Sequence, residues 1–184
     1  MAEIKSNVVD IVSLNDRTYQ FFFASKSPFS QWHPCKFTDL SGITYLSAEM
    51  YMMYQKAKLF GDTAVAAKIL AADNQKTIKD LGRQVANYDE VRWRQMREAI
   101  VFEGNLLKFG QNPKLLRVLL ATAPKQLVEA SPWDTIWGIG MSKETARVTP
   151  MEQWRGLNLL GKTLDRARQN LAFQIRMGSG IKRP

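Results

Sequence analysis

Apolar residues recur at helical spacing along most of this chain, and several of the runs begin directly after a residue that favours a helix N-terminus. Ser47, Asp62 and Asp89 are such residues, because a side-chain oxygen there accepts a hydrogen bond from the free N–H groups of the first turn. Gly61 and Gly82 are expected to end helices. The pattern predicts helices over residues 48–60, 62–72, a short segment up to 81, 89 to beyond 107, 113–120 and 158–175.

Two short segments favour strands instead. Thr18 to Phe23 is rich in β-branched and aromatic residues, and Leu127 to Ala130 is a second candidate. With so few strands, we predict a mainly α fold, a compact single-domain helical protein with a small N-terminal β element. We expect residues 1–17 to be an irregular N-terminus, 18–176 to form the domain, and 177–184 to be a basic C-terminal tail.

The composition bounds the class of protein. A length of 184 residues suits one domain with one core. No apolar run approaches the ~18 to 20 residues that span a bilayer, so we expect a soluble protein with no membrane partner. The first residues lack the charged-then-apolar order of a secretory signal. We therefore expect an intracellular, cytoplasmic protein, or a nuclear one in a eukaryote, and leave its oligomeric state open.

His33 and Cys35 are the only histidine and the only cysteine. Zinc sites built from several sulfur or imidazole ligands are therefore excluded, as is an internal disulfide. Proton transfer must fall mainly to carboxylates, lysines, tyrosines or bound water. Nothing in the sequence demands a metal or a cofactor, and we predict neither.

The formal net charge of +9 predicts attraction to polyanions, which means nucleic acid or a phosphorylated small molecule. Much of the excess lies near the C-terminus. The alternative for that stretch is a solvated helix face followed by a frayed tail. The basic residues concerned are Arg166, Arg168, Arg176, Lys182 and Arg183.

The most informative segment is Ser131 to Gly140, which reads Ser-Pro-Trp-Asp-Thr-Ile-Trp-Gly-Ile-Gly. It places the carboxylate of Asp134 between the indoles of Trp133 and Trp137, in a stretch that proline and two glycines keep from being an ordinary helix. Such a loop on a rigid frame is typical of a functional site. The alternative is that both indoles fill the core and Asp134 bonds its own backbone in a turn.

The first long helix carries charged and apolar residues on one face. Glu49, Met53, Lys56 and Phe60 follow helical spacing. Glu49 and Lys56 are about 10 Å apart along the axis, too far for a direct pair, and are candidates to flank a ligand. The alternative is that Lys56 extends past Met53 into water while Glu49 favours the positive helix N-terminus.

Six segments carry a family resemblance when they are taken together and in order. They are Ser30 to Trp32, Ser47 to Ala57, Gly82-Arg83, Lys108 to Asn112, Leu127 to Gly140 and Gly156 to Gly161. Together they resemble the NADAR (YbiA-like) family over about residues 20–170. The resemblance implies a compact, largely helical fold and N-glycosidase activity of one of two kinds. One removes ADP-ribose from modified guanine bases in nucleic acid, and the other cleaves a phosphoribosylamine intermediate of riboflavin synthesis.

The resemblance also implies site residues. Family motif positions fall on Glu49, Lys56, Trp93, Asp134, Trp137 and Asn158. The predicted catalytic residues are Glu49, Asp134 and Lys56. The predicted substrate-binding residues are Ser30, Trp32, Arg83, Trp93, Trp137, Gly138 and Asn158. The chain departs from the family at Met50, where relatives often have glutamine or histidine, and at Gln31, where asparagine is usual, and both bear on substrate choice.

Cleavage of a ribosyl C1′–N bond builds positive charge on the ribose. It therefore calls for a carboxylate near that carbon, a proton source for the departing nitrogen and an aromatic wall. We predict that Glu49 stabilises the charge and orients water, while Asp134 binds the ribose hydroxyls or protonates the leaving base, with exchanged roles left open. Trp93 and Trp137 would stack on the base or line the ribose.

Two roles stay open for Lys56. Together with Arg83 it holds phosphate, because a guanidinium and an ammonium both bind phosphate oxygens. Alternatively its amine attacks C1′ and forms an imine with the opened sugar, as amines in desolvated pockets do.

Three functions remain open. Removal of ADP-ribose from guanine in nucleic acid is preferred, because a charge of +9 suits a pyrophosphate attached to a strand. The partners expected are thus an ADP-ribose-containing substrate and ADP-ribosylated nucleic acid. An enzyme acting on riboflavin intermediates is the first alternative. A module that binds ADP-ribose or nucleic acid without cleaving it is the second.

Overall fold

The computed structural model describes residues 11–178 of the chain, and most of these residues are in helices. The strands are short and lie at two places in the sequence. In chain order the elements are α1 (residues 11–18), β1 (Tyr19–Phe22), β2 (Phe37–Thr38), β3 (Thr44–Tyr45), α2 (Ala48–Leu59), α3 (Thr63–Ala71), α4 (Gln75–Arg83), α5 (Glu90–Gln111), α6 (Pro113–Leu120), β4 (Gln126–Glu129), α7 (Lys143–Arg147), a 3-10 helix (Met151–Gln153) and α8 (Leu159–Arg176).

The predicted N-caps of three helices are confirmed. The side chain of Ser47 accepts from the backbone N–H of Met50, and that of Asp62 from Val65. Asp89 does the same for the first turn of α5. These bonds satisfy donors that the first turn of a helix leaves free, so each helix begins within a residue of its predicted start.

Gly82 does not end a helix, contrary to the prediction, because α4 continues to Arg83. A Cβ atom at position 82 would lie 2.0 Å from the sulfur of Met53 on α2. Glycine at this position therefore permits close packing of α4 on α2 rather than a left-handed cap.

The N-terminal segment also differs from its prediction as an irregular stretch, since residues 11–18 are helical. Asn15 is buried in this helix, and its amide donates to the carbonyl oxygens of Ala146 at 3.0 Å and Thr149 at 3.1 Å. Contacts far along the chain thus hold α1. Residues 1–10 and 179–184 are outside the described residues, and so are the predictions made for Lys182 and Arg183 in the basic tail.

The strands form two small sheets in the described part of the chain. β1 and β4 pair in parallel, with Phe22 opposite Glu129. β2 and β3 pair antiparallel, with Phe37 opposite Tyr45. The mainly α fold class is confirmed, but the β element is not purely N-terminal, because β4 supplies half of the parallel pair.

Helix α2 lies at the centre and packs against α3, α4 and α5, while α8 packs against α5 and β4. Met50 and Ala57 on α2, Leu127 on β4 and Leu164 on α8 are fully buried. The first turn of α2 and the carboxyl end of β4 are consequently held in the interior. Within residues 11–178, no helix combines the length and the apolar character needed to cross a membrane.

Candidate active site

The first turn of α2 carries Glu49 into the interior, where its side chain is 4% exposed. Its backbone N–H donates to the carbonyl oxygen of Gln31 at 2.9 Å. Burial away from water raises the pKa of Glu49 to about 7, against the lowering effects of the Lys79 charge and a hydrogen bond from the Trp32 side chain. The negative charge of Asp134 raises it further. Glu49 is therefore available as a proton acceptor or donor near neutral pH.

The loop that carries Ser30 and Trp32 is fastened to α5. The carbonyl oxygen of Ser30 accepts from the buried ammonium of Lys108 at 2.8 Å, and its hydroxyl accepts from the N–H of Trp32 at 3.1 Å. The Gln31 side chain meets the amide of Asn105 at 3.0 Å. The Trp32 side chain of this loop forms a hydrogen bond with Glu49, whereas the Ser30 hydroxyl is engaged within the loop.

Glu129, the last residue of β4, is a site residue that the sequence analysis missed. Its Oε2 atom is buried and has no hydrogen-bond partner within residues 11–178. Burial raises the pKa of Glu129 to about 8, the charges of Asp134 and Glu49 raise it further, and Lys79 lowers it. The signal that was available is a carboxylate within the predicted strand Leu127 to Ala130, whose other residues are apolar.

The bend after β4 brings Asp134 to these two glutamates. Its Oδ1 atom accepts from the backbone N–H groups of Ile136 and Trp137, both at 2.8 Å. A Cβ atom on Gly138 would lie 2.9 Å from the carbonyl oxygens of both Asp134 and Glu129, so only glycine fits where the bend closes against β4. Asp134 therefore bonds its own turn, as the alternative predicted, and its charge also raises the pKa of Glu49 and Glu129.

We call Glu49, Glu129 and Asp134 the acidic cluster. Because Glu49 and Glu129 interact, they lose their protons in two steps, and the apparent pKa of each step describes the pair and not a single residue. The charge of Glu49 raises the pKa of Glu129, so ionisation of one glutamate favours the protonated form of the other. With both pKa values raised, the pair retains a proton near neutral pH, and a protonated carboxyl group near an ionised one is the combination that acid–base cleavage of a glycosyl bond uses.

Asn158 supports the acidic cluster from the start of α8. Its Oδ1 accepts from the N–H of Glu129 and its Nδ2 donates to the carbonyl oxygen of Leu127, both at 3.0 Å. The residue has a φ of 52°, in the left-handed region. A Cβ on Gly161 would lie 2.0 Å from the Leu127 carbonyl oxygen, so glycine permits this close approach of α8. The amide of Asn158, predicted to bind substrate, is engaged with β4.

Lys56 lies further along α2, on the same face as Glu49. Its ammonium donates to the carbonyl oxygen of Gly82 at 2.8 Å and lies 4.3 Å from the ring centre of Tyr88 and 5.6 Å from that of Trp93. Burial lowers the pKa of Lys56, while the charges of Glu90 and Glu49 raise it. The ammonium is thus half-buried against aromatic rings rather than extended into water.

Arg97 is a second residue that the sequence analysis missed. Its side chain is buried, and its Nε has no hydrogen-bond partner in the described part of the chain. Its guanidinium carbon lies 6.0 Å from the Trp137 ring centre. The signal that was available is its position four residues after Trp93, on the inner face of α5. We call Lys56, Tyr88, Trp93 and Arg97 the cationic cluster.

Arg83 lies at the edge of the site. Its guanidinium is exposed and forms an ion pair with Asp80 at 3.1 Å. Its charge still lowers the pKa of Glu49, although less than Lys79 does. Arg83 is therefore close enough to influence the acidic cluster but remains in solvent.

A separate groove of about 700 Å³ lies beside β1 and is lined by side chains that include Phe23, Lys26 and Lys143. The ring of Phe23 lies 6.1 Å from that of Trp133, which is 82% exposed. Trp133 is thus a surface residue and not a core residue. The side chains that line this groove do not include the paired carboxyl groups of Glu49 and Glu129.

The fold is helical and buries a pair of carboxyl groups near cationic and tryptophan side chains, an arrangement suited to acid–base chemistry. The family model described as NADAR domain matches residues 20–172, and the chain belongs to this family. An N-glycosidase of Acanthamoeba polyphaga mimivirus is 48% identical over 145 residues, which cover 77% of this chain and 85% of that protein.

A solved structure and a further relative also match this chain. The NMR structure of the Escherichia coli protein YbiA matches with a TM-score of 0.71 and 25% identity, covering 86% of this chain and 88% of that one. A riboflavin biosynthesis protein of Vibrio vulnificus is 30% identical over 142 residues, 77% of this chain but 35% of its own length. The relatives that are named N-glycosidases support a hydrolase that acts on N-glycosyl bonds.

Proposed function

We propose that this NADAR protein is an N-glycosidase that removes ADP-ribose from ADP-ribosylated guanine in nucleic acid. The observation that carries the proposal is the acidic cluster, in which Glu49 and Glu129 have pKa values of about 7 and about 8. Two carboxyl groups in opposite protonation states are what hydrolysis of a glycosyl bond requires. The N-glycosidase names of the relatives support the same reaction class.

In the proposed reaction, water replaces the base at C1′ of the ribose. The C1′–N bond breaks and positive charge develops on the ribose, which the ionised Glu49 stabilises while accepting a proton from the attacking water. The electron pair of the broken bond leaves with the nitrogen, which takes its proton from Glu129. Glu129 replaces Asp134 as the proton donor, because Oδ1 of Asp134 is already bonded to its own turn. The second carboxylate oxygen of Asp134 then binds ribose hydroxyls.

Two observations support nucleic acid as the carrier of the scissile bond. The net charge is +9, which favours association with phosphates of a strand. Trp133 exposes 82% of its surface next to Phe23, and exposed aromatic rings stack on unpaired bases at a gain of ~1 to 3 kcal/mol per base. Lys26 and Lys143 line the adjoining groove, where they would meet phosphates.

A second candidate function is cleavage of a phosphoribosylamine intermediate of riboflavin synthesis. It is favoured by the name of the Vibrio vulnificus relative, a riboflavin biosynthesis protein of which the match covers 35%. This substrate needs one phosphate site, so its turnover should depend little on salt. Turnover on a strand should fall steeply with salt, because binding releases counterions.

The decisive experiment incubates the protein separately with an ADP-ribosylated guanine oligonucleotide and with the aminouracil phosphoribosyl compound. Free ADP-ribose from the oligonucleotide alone, with a Glu49→Gln variant reduced at least ~100-fold, is the expected result. Product from the second compound alone would assign the riboflavin-related reaction. Tight binding of the oligonucleotide without product would show a binding module and overturn the enzymatic proposal.

Borohydride trapping tests the alternative chemistry at Lys56. Burial lowers the pKa of Lys56, which favours a nucleophilic amine. We expect no trapped adduct during active turnover, since the ammonium is already bonded to the Gly82 carbonyl oxygen. A stable adduct that a Lys56→Arg variant lacks would replace the carboxylate mechanism with an imine.

A further inference from the structure

Arg97 is a buried cation without an ion-pair partner in the described residues. Its side chain is 9% exposed and its buried Nε makes no hydrogen bond within residues 11–178. A guanidinium stays charged at any accessible pH, so it cannot avoid the free-energy cost of burial by losing a proton. A buried cation without an ion-pair partner in the protein is suited to bind an anionic ligand.

Glu90, a carboxylate at the start of the same helix, is already occupied by other partners. Glu90 accepts from Arg94 at 2.7 Å and from the Tyr88 hydroxyl. The Arg97 charge lowers the pKa of Glu90, but less than these two bonds do. Arg97 therefore keeps its positive charge available toward Trp137.

A second cation lies in the same region. The charge of Arg97 acts on the Tyr88 hydroxyl, and the ammonium of Lys56 lies 4.3 Å from the Tyr88 ring. Lys56 also makes no ion pair with a described residue, its hydrogen bond being to a carbonyl oxygen. Two unpaired cations against aromatic rings match the charge and the donors that a phosphate group accepts.

We infer that Arg97, with Lys56 as the second cation, binds a phosphate group of the ribosyl ligand. This inference rests on the proposed function for the position of the ribose, which the acidic cluster would hold. Trp137 connects the two regions, because its backbone N–H donates to Oδ1 of Asp134 while its ring lies 6.0 Å from the guanidinium carbon of Arg97. A ribose at the acidic cluster thus carries its phosphate toward Arg97.

Thermal unfolding separates this role from a structural one. Arg97→Met removes an unpaired buried charge, so without phosphate it should melt at the same temperature as the wild type or higher. Added ribose 5-phosphate should raise the melting temperature of the wild type but not of Arg97→Met. The control is Arg117→Met, an exposed arginine on α6, which should respond to the ligand like the wild type. A lower melting temperature of Arg97→Met without ligand, with its ligand response intact, would overturn the inference.

Calorimetric titration then measures affinity with ribose 5-phosphate, ADP-ribose and unphosphorylated ribose. Arg97→Met should weaken both phosphorylated ligands at least ~10-fold and leave ribose unchanged, and Arg97→Lys should recover part of the loss. If ribose 5-phosphate binds more tightly, the site prefers a phosphate monoester. If ADP-ribose binds more tightly, the site prefers a pyrophosphate. Equal affinities of wild type and Arg97→Met would refute the phosphate site, as would a wild type that binds neither ligand.

The outcomes also separate this inference from the proposed function. Arg97-dependent binding by a protein that cleaves neither test substrate would retain the phosphate site and reject the N-glycosidase. Cleavage with the same KM by wild type and Arg97→Met would retain the enzyme and reject the phosphate site.

Discussion

The acidic and cationic clusters both bury charged groups, but they resolve the cost of burial differently. Glu49 and Glu129 avoid part of it by retaining protons, so their pKa values rise to about 7 and about 8. Lys56 avoids part of it through a lowered pKa. Arg97 has no such option. The comparison teaches that the acidic cluster is suited to proton transfer, and that the cationic cluster is suited to hold an anion.

The largest expected effect tests whether proton transfer belongs to the acidic cluster. Glu129→Gln keeps the shape of the side chain but cannot donate an acidic proton, so kcat should fall at least ~100-fold. KM should change little, because the cationic cluster would still bind the phosphate. The measurement is steady-state kinetics, with Glu152→Gln on the exposed 3-10 helix as the control. Near-normal turnover of Glu129→Gln would remove this residue from the chemistry.

The next effect follows from the stability cost of the buried carboxyls. Both glutamates have raised pKa values in the folded state, so their stabilising contribution is complete below about pH 4.5 and is lost as the pH rises through about 7 and 8. Between about pH 6 and 8.5 the free energy of unfolding should fall on the order of 3 kcal/mol. Urea unfolding at the two pH values measures it. The double variant Glu49→Gln/Glu129→Gln should lose most of this slope, and an unchanged slope would show that other groups cause it.

A smaller effect tests the support of the acidic cluster. Asn158→Ala leaves the N–H of Glu129 and the carbonyl of Leu127 without partners, which should cost about 2 kcal/mol of unfolding free energy. Asn158→Gly loses the same bonds but accepts the left-handed φ, so it should be less destabilised by about 1 kcal/mol. Chemical denaturation compares the two. Wild-type stability of both variants would contradict the positioning role of Asn158.

The smallest effect probes the charge of Asp134. Asp134→Asn keeps an oxygen acceptor for the N–H groups of Ile136 and Trp137, so the bend should survive. Loss of the negative charge should lower the pKa of both glutamates. The acid limb of the kcat/KM profile should therefore move by about half a pH unit or more toward lower pH. An unmoved limb would place Asp134 outside the chemistry.

Helix starts could be predicted from the sequence because their signals are local. Ser47, Asp62 and Asp89 each act on N–H groups two or three residues away, and each cap is present. The prediction for Gly82 was wrong for the same reason. Local rules treat a glycine as a helix end, whereas Gly82 is needed for the contact with Met53 in another helix. The two-residue strands β2 and β3 carry no periodicity that could predict them.

Candidate site residues could be predicted from the sequence where a motif or a bend marks them. They could not be predicted where a residue stands out only because the fold buries it. Asp134 stands out between two tryptophans, and Glu49 follows a helix cap. Glu129 and Arg97 are ordinary charged residues in the sequence. Their significance arises from the parallel pairing of β1 with β4 and the packing of α5, which enclose them. Long-range contacts of this kind leave no local pattern.

Trp133 has a practical consequence for following ligands in solution. It is 82% exposed, whereas Trp93 is 8% exposed, so a quencher such as iodide should reach the first indole and not the second. Among the five tryptophans of the chain, this one offers an intrinsic optical reporter on the surface beside the groove. A strand that covers it would shield its emission, and a small sugar phosphate would leave that emission open to quenching.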